Sequence, residues 1–212
     1  MSRVFLLSPA HCGGQRATLV LKGQAQFDLA RRLRESAGAP LGEVFSFLSG
    51  LYFRGKLAYA QAFTRPPSGM AGVYVITPTD GLELPDTAVR LDRLRRFAEV
   101  DIHASDERYR APLVRHAQRL ARALGPRGEV VLLGSIATGK YILPLQEVLG
   151  PRLYFPSEFV GRGDMSRGSL LLRHARAQLE LDYVRVPGVG GSREAKSEAR
   201  RPFLPGRRDS HR

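Results

Sequence analysis

The chain has 212 residues, a hydrophobic share of 43%, a charged share of 25% and a formal net charge of +13, the profile of a soluble globular protein with one well-buried core and a tail. No apolar run approaches the roughly 18 to 20 residues of a membrane span, and five histidines with a single cysteine, in no paired spacing, exclude a metal-site signature and an internal disulfide. The positive excess points to polyanionic partners, nucleic acid first; exchange of Lys for Arg by coding bias does not by itself create such an excess.

Val4 to Ser8 predicts a buried strand halted by Pro9. The run VFLLS is shorter than the apolar part of a typical signal peptide, and the lone Cys12 points to a reducing cytoplasm. A loop from Pro9 to Gly14 carries His11 and Cys12. Gln24 to Ala37 has Phe27, Ala30, Leu33 and Ala37 on helical spacing, with Arg31 and Glu35 placed to pair, and Gly38 and Pro40 stop it. Leu41 to Ser49 is a second short helix, ended by Gly50. Tyr52 to Phe63 is a third, carrying Arg54 and Lys56 on an aromatic and aliphatic frame.

Gly72 to Thr77, rich in β-branched residues, predicts the second strand, and Pro78 to Gly81 the loop at its end. Leu91 to Val100 is a modest helix. Ala111 to Pro126 is a stronger one, with Pro112 in its first turn, Leu113, Ala117, Leu120 and Leu124 on a buried face and Arg115, Arg119 and Arg122 on another. The remaining elements are a strand Glu129 to Leu133, a helix Tyr141 to Leu149, a strand Arg152 to Phe155, a helix Ser169 to Leu179 and a strand Asp182 to Val186. Alternating strands and helices with nearly continuous apolar strands predict a single three-layer α/β/α domain over residues 1–186 with a mostly parallel sheet. From Pro187 to Arg212 the chain is too poor in apolar residues to order itself, and Arg200, Arg201, Arg207 and Arg208 make it a basic tail suited to nucleic acid.

Ligands of an open parallel sheet gather beyond the C-terminal strand ends. The strand, turn and helix of Glu129 to Leu145 form the most promising unit. Gly134 to Lys140 fits the phosphate-loop pattern GxxxxGK, but Tyr141 stands where a magnesium-binding Ser or Thr belongs, and no later strand ends in an acid. The strand ends supply Ser8, His11 and Cys12; Thr77, Thr79, Asp80 and Gly81; Gly134, Ser135, Thr138 and Lys140; and the loop holding Arg162, Asp164 and Arg167. Asp80 and Asp164 are the candidate acid/base residues, with His11 as a proton carrier. Arg162, Arg167 and Lys140 are phosphate contacts, and Arg115, Arg119 and Arg122 contacts to a nucleic-acid backbone. Each has a plainer alternative: Asp80 makes a turn before Gly81, Cys12 is a small buried hydrophobe, and the arginines are solvated.

The segments VFLLSPAH, GLYFRGKLAYAQAF and VYVITPTDGLELPDT resemble the YaaA-like proteins, a peroxide-stress family with uncharacterised relatives, over roughly the first half of the chain. The resemblance implies an α/β protein associated with DNA and with protection from oxidative damage. Relatives that occur beside base-modification enzymes imply handling of a nucleobase or nucleotide. It adds weight to Ser8, Tyr52, Lys56, Thr77 and Gly81 as site residues. His11 stands where those proteins have Lys, and neither a helix-hairpin-helix glycine pattern nor uracil-glycosylase motifs are present. The expected function is a cytoplasmic, nucleic-acid-associated protein that binds a nucleotide or nucleobase at the strand ends and acts on a base or its glycosidic bond, with no cofactor. A non-catalytic DNA- or RNA-binding protein of stress protection and a degenerate phosphate-loop enzyme remain as alternatives.

Overall fold

The computed structural model describes residues 1–187; the tail residues Arg200, Arg201, Arg207 and Arg208 lie outside the described residues. In chain order the elements are β1 (Arg3–Leu7), α1 (Gln15–Leu21), α2 (Asp28–Arg32), β2 (Ala39–Pro40), α3 (Leu41–Ser49), α4 (Leu51–Phe63), β3 (Val73–Ile76), β4 (Leu82–Glu83), β5 (Ala88–Val89), α5 (Leu91–Ala98), α6 (Glu107–Leu124), β6 (Glu129–Leu133), α7 (Ile142–Leu149), β7 (Leu153–Pro156), α8 (Asp164–Ala177) and β8 (Tyr183–Arg185). Six strands form a mixed, mostly parallel sheet in the order β4-β3-β1-β6-β7-β8. The four inner strands run parallel, and the two short edge strands pair antiparallel to their neighbours. A separate two-residue ladder joins β2 to β5.

Val4 to Leu7 and Val130 to Leu133 have no exposed surface, which is why these strands are continuously apolar rather than alternating: helices cover both sides of the sheet. α3, α4 and α8 pack as one group, with α4 against β1 and β3, while α6 and α7 form another, with α7 against β7. The chain leaves β1 for β3 on one side, then crosses back to β6 on the other side of β1. The order therefore reverses between β1 and β6, and the crevice beyond their C-terminal ends is where such a sheet receives ligands. Register places Leu7 opposite Leu133, so Ser8 and Gly134 leave the sheet side by side.

Several helices differ from expectation. Of the predicted helix Gln24 to Ala37 only the short α2 forms, and a helix not expected from the sequence, α1, precedes it, following the extended Gly14 and burying Ala17 and Val20. Asp28, at the start of α2, accepts from Arg32 at 2.8 Å, in place of the expected pair between Arg31 and Glu35. α6 begins four residues early because the Asp106 carboxylate accepts the Arg108 amide at 2.9 Å, an N-cap that outweighs the missing donor of Pro112 inside the helix. α8 begins at Asp164, five residues before the predicted Ser169, and takes in Gly168 as an interior residue.

The reason for that glycine is a helix crossing. A β-carbon on Gly55 of α4 would sit 2.6 Å from the Gly168 carbonyl oxygen, and one on Gly168 would sit 2.8 Å from the Tyr52 α-carbon. Two glycines thus let the backbones of α4 and α8 touch. The contact holds the first turn of α8 above the first turn of α4, at the end of the sheet where the crevice opens.

Candidate active site

A cavity of about 510 Å³ occupies that crevice. Ser8, His11 and Cys12 enter it after β1, Pro78 after β3, and Ser135, Lys140 and Tyr141 after β6. Ser49 and Tyr52 reach it from the α3–α4 junction, Phe97, Val100 and Ile102 from the end of α5, and Asp164 from the start of α8. The junction is a sharp turn at Gly50, whose φ of 61° suits glycine.

Beneath the cavity floor lies Lys56. On α4, Tyr52, Phe53, Lys56, Tyr59, Ala60 and Phe63 are buried at helical spacing, so the lysine occupies a core position. Its Nζ donates to the Ser8 carbonyl oxygen at 2.5 Å and to Ser8 Oγ at 2.9 Å. The same nitrogen sits 4.5 Å from the Tyr52 ring centroid and 4.9 Å from that of Phe53. Among the described residues no carboxylate comes within ion-pair distance of it. Burial lowers the amine from its ordinary 10.5 to about 7, opposed by the negative charge of Asp164.

Tyr52 is 6% exposed. Its hydroxyl has no hydrogen-bond partner among the described residues, although it belongs to a side chain lining the cavity. Burial pushes its pKa up to about 12, so it is a neutral phenol at physiological pH; the charge of the nearby Arg167 and its side-chain approach to the phenol oxygen oppose this. Cys12 is also buried, its thiol raised to about 12 by desolvation and directed to the Ala10 carbonyl at 3.6 Å. A thiol so protonated is a poor nucleophile. His11 is exposed and folds over the glycines that follow, with Nδ1 3.2 Å from where a Gly14 β-carbon would be.

Thr77, Thr79, Asp80, Gly81, Gly134 and Thr138, also expected at the site, sit outside the cavity wall. Thr77 closes the turn after β3: its hydroxyl donates to the Gly81 carbonyl at 3.0 Å and accepts the Asp80 amide at 3.0 Å. Asp80 is paired with Arg93 at 2.7 Å, and the same arginine reaches Glu83 at 2.9 Å. Gly81 has a φ of 71° and its α-hydrogen side faces the Pro112 carbonyl, only 2.6 Å from a would-be β-carbon. Gly134 packs under Ser8, where a β-carbon would lie 2.9 Å from that of Ser8. Thr138 is exposed on the turn before α7, whereas Ser135, in the cavity wall, shapes that turn by accepting the Ala137 amide on its Oγ at 3.3 Å.

Arg167 spans the cavity's outer support rather than its interior, donating to the Phe159 carbonyl at 3.2 and 3.0 Å and standing 3.5 Å from Asp164. Arg162 is exposed and donates to Ser166 Oγ at 3.1 Å. Arg115, Arg119 and Arg122 are exposed along α6, away from the cavity, and Arg119 borders a separate hollow beside Met70, Tyr74 and Leu82. No cluster of three His, Cys, Asp or Glu side chains suited to a metal exists among the described residues, and no helix there is long and apolar enough to cross a membrane.

Ser49, Phe97, Val100 and Ile102 belong to the cavity but carried no sequence signal, because each lies at or just beyond a helix end that only the fold brings to the strand tips. The depth of Lys56 was equally hidden. A signal did exist for the crossing: Gly55 and Gly168 each interrupt an otherwise helical run. Comparison with protein-family models, curated proteins and solved structures finds no match, so the likeness to YaaA-like proteins rests on the quoted segments alone.

Proposed function

We propose that the cavity binds a nucleotide or nucleobase and that the protein works in association with nucleic acid. The observation that carries this reading is the meeting of Ser8, Ser135 and Lys140 with the aromatic side chains of Tyr52, Phe97 and Tyr141 around one cavity at the sheet's reversal point. A volume of about 510 Å³ suits a ligand of that size. The aromatic side chains offer apolar surface to a base, and the Lys140 ammonium offers charge to a phosphate. Asp164 and His11, both at the mouth, are the groups placed for proton transfer at the base or its glycosidic bond. The net charge of +13 and the exposed Arg115, Arg119 and Arg122 support contact with a nucleic-acid backbone.

Calorimetry with nucleosides and their monophosphates tests the binding. Lys140→Ala is expected to weaken the monophosphate about tenfold or more, the scale of one charge-assisted hydrogen bond, while leaving the nucleoside nearly unchanged. Asp164→Asn is expected to retain affinity and lose turnover. Absence of binding by every nucleoside and nucleotide at millimolar concentration would overturn the reading. For the nucleic-acid arm, replacing Arg115, Arg119 and Arg122 together by Ala is expected to flatten the log–log salt dependence of duplex binding by roughly 3; an unchanged slope would remove α6 from the interface.

A further inference from the structure

We propose that Ser8 and Lys56 form a nucleophile–base dyad that cleaves a carboxylic ester through an acyl-enzyme on Ser8 Oγ. This goes beyond the nucleotide reading and does not depend on it.

Three observations converge. The Ser8 side chain lines the cavity, and its Oγ lies 2.9 Å from Lys56 Nζ, within reach for direct proton transfer. Lys56 is 1% exposed and, among the described residues, has no carboxylate partner. A buried lysine with a purely structural role is normally paired, because an uncompensated charge in the core is costly; here burial without a carboxylate partner favours the free amine, against the attraction of the Tyr52 and Phe53 rings for the ammonium. The third observation is Tyr52, which lines the same cavity as Ser8 with its ring 4.5 Å from Lys56 Nζ and its hydroxyl buried without a partner in hydrogen-bond geometry. As a neutral phenol it is a donor available to an oxygen that the protein itself does not supply. The titratable groups around Lys56 are Tyr52 on its own helix and Asp164, whose charge acts on it from α8.

The chemistry balances with water as the co-reactant. The unprotonated Lys56 amine takes the Ser8 hydroxyl proton as Oγ bonds to the ester carbonyl carbon. Negative charge passes to the carbonyl oxygen, where the Tyr52 hydroxyl can donate to it. The carbon–oxygen bond to the alcohol then breaks, and the Lys56 ammonium returns the proton to the departing alkoxide. Water, deprotonated in turn by Lys56, attacks the acyl carbon, the bond from that carbon to Ser8 Oγ breaks, and the Lys56 ammonium returns its proton to Oγ, which releases the carboxylic acid and restores both residues. An ester carbonyl suits this site because it is uncharged on entry and becomes anionic only during reaction, matching a neutral amine and a neutral phenol.

The test exposes the full chain to p-nitrophenyl acetate and to a fluorophosphonate probe, followed by peptide mass spectrometry. The expected result is a covalent adduct on Ser8 with at least one of them, absent in Ser8→Ala. Lys56→Met is expected to slow adduct formation by about 100-fold or more at pH 8, and circular dichroism confirms that the variant is folded. In the unaltered protein the rate is expected to rise with pH around neutrality as the amine loses its proton. Failure of both reagents to modify Ser8, or a rate indifferent to Lys56→Met, would overturn the proposal. The adduct reports on Ser8 alone and nucleotide affinity on the cavity as a whole, so either result can fail without the other.

Discussion

Replacing Lys56 with methionine is expected to stabilise the fold at neutral and acidic pH, by an amount that shrinks as the solution approaches pH 10.5. In the folded chain burial lowers this amine to about 7, against an ordinary value of 10.5. Between those two values the unfolded chain binds a proton that the folded chain does not, so stability rises with pH across that window. Below about pH 7 both states are protonated there, and the full cost of burying the charge is borne. At ~1.4 kcal/mol per tenfold change in proton affinity, the cost is about 5 kcal/mol. Methionine fills similar volume without it, and forfeits two hydrogen bonds to Ser8 worth roughly 1 kcal/mol each. Denaturant unfolding of both proteins at pH 6, 8 and 10 checks this. The difference between them is expected to narrow by several kcal/mol over that range; a difference independent of pH would show that the amine titrates as it does in water.

Gly55→Val and Gly168→Val are expected to be among the most damaging single substitutions in the chain. A β-carbon at either position meets backbone rather than a movable side-chain end: the Gly168 carbonyl at 2.6 Å in one case, and the Tyr52 α-carbon and Leu51 carbonyl at 2.8 and 2.9 Å in the other. Relief requires α4 and α8 to part, which also draws Asp164 off the cavity. The expected loss is about 3 kcal/mol or more, or roughly 10 °C in Tm for a protein of this size. Gly23→Ala is the control, since nothing lies within 4 Å of its new carbon, and it should leave Tm nearly unchanged. Thermal unfolding of the three variants decides the matter. Equal Tm values would mean that the two helices do not meet at these glycines.

The strands were legible because burial on both faces writes itself as an unbroken apolar run. Val4 to Leu7 and Val130 to Leu133 could be little else, and their polar successors marked one rim of the sheet. His11, Ser135, Lys140 and Asp164 do share a cavity there, whereas Asp80 and Arg162 are held elsewhere by Arg93 and Ser166. Nothing in the local sequence distinguishes an aspartate that will meet an arginine thirteen residues on from one that will face a ligand. Lys56 was legible as a site residue, but its burial and its partner were hidden for a related reason: a lysine at a helical core position looks like any surface lysine until Ser8, 48 residues away, is folded against it. The start of α8 was obscured by glycine, which reads as loop unless a second helix is known to press on it.

The α4–α8 crossing also sets the order in which the protein becomes competent. The cavity draws its wall from residue 8 through residue 164, and α8 is the last helix of the described chain. During synthesis the strands of the first half can collapse early, but Ser8 and Lys56 stay unroofed until residues near 170 have emerged and docked. The burial of the Lys56 amine, and with it the chemistry proposed for Ser8, therefore waits on the docking of α8.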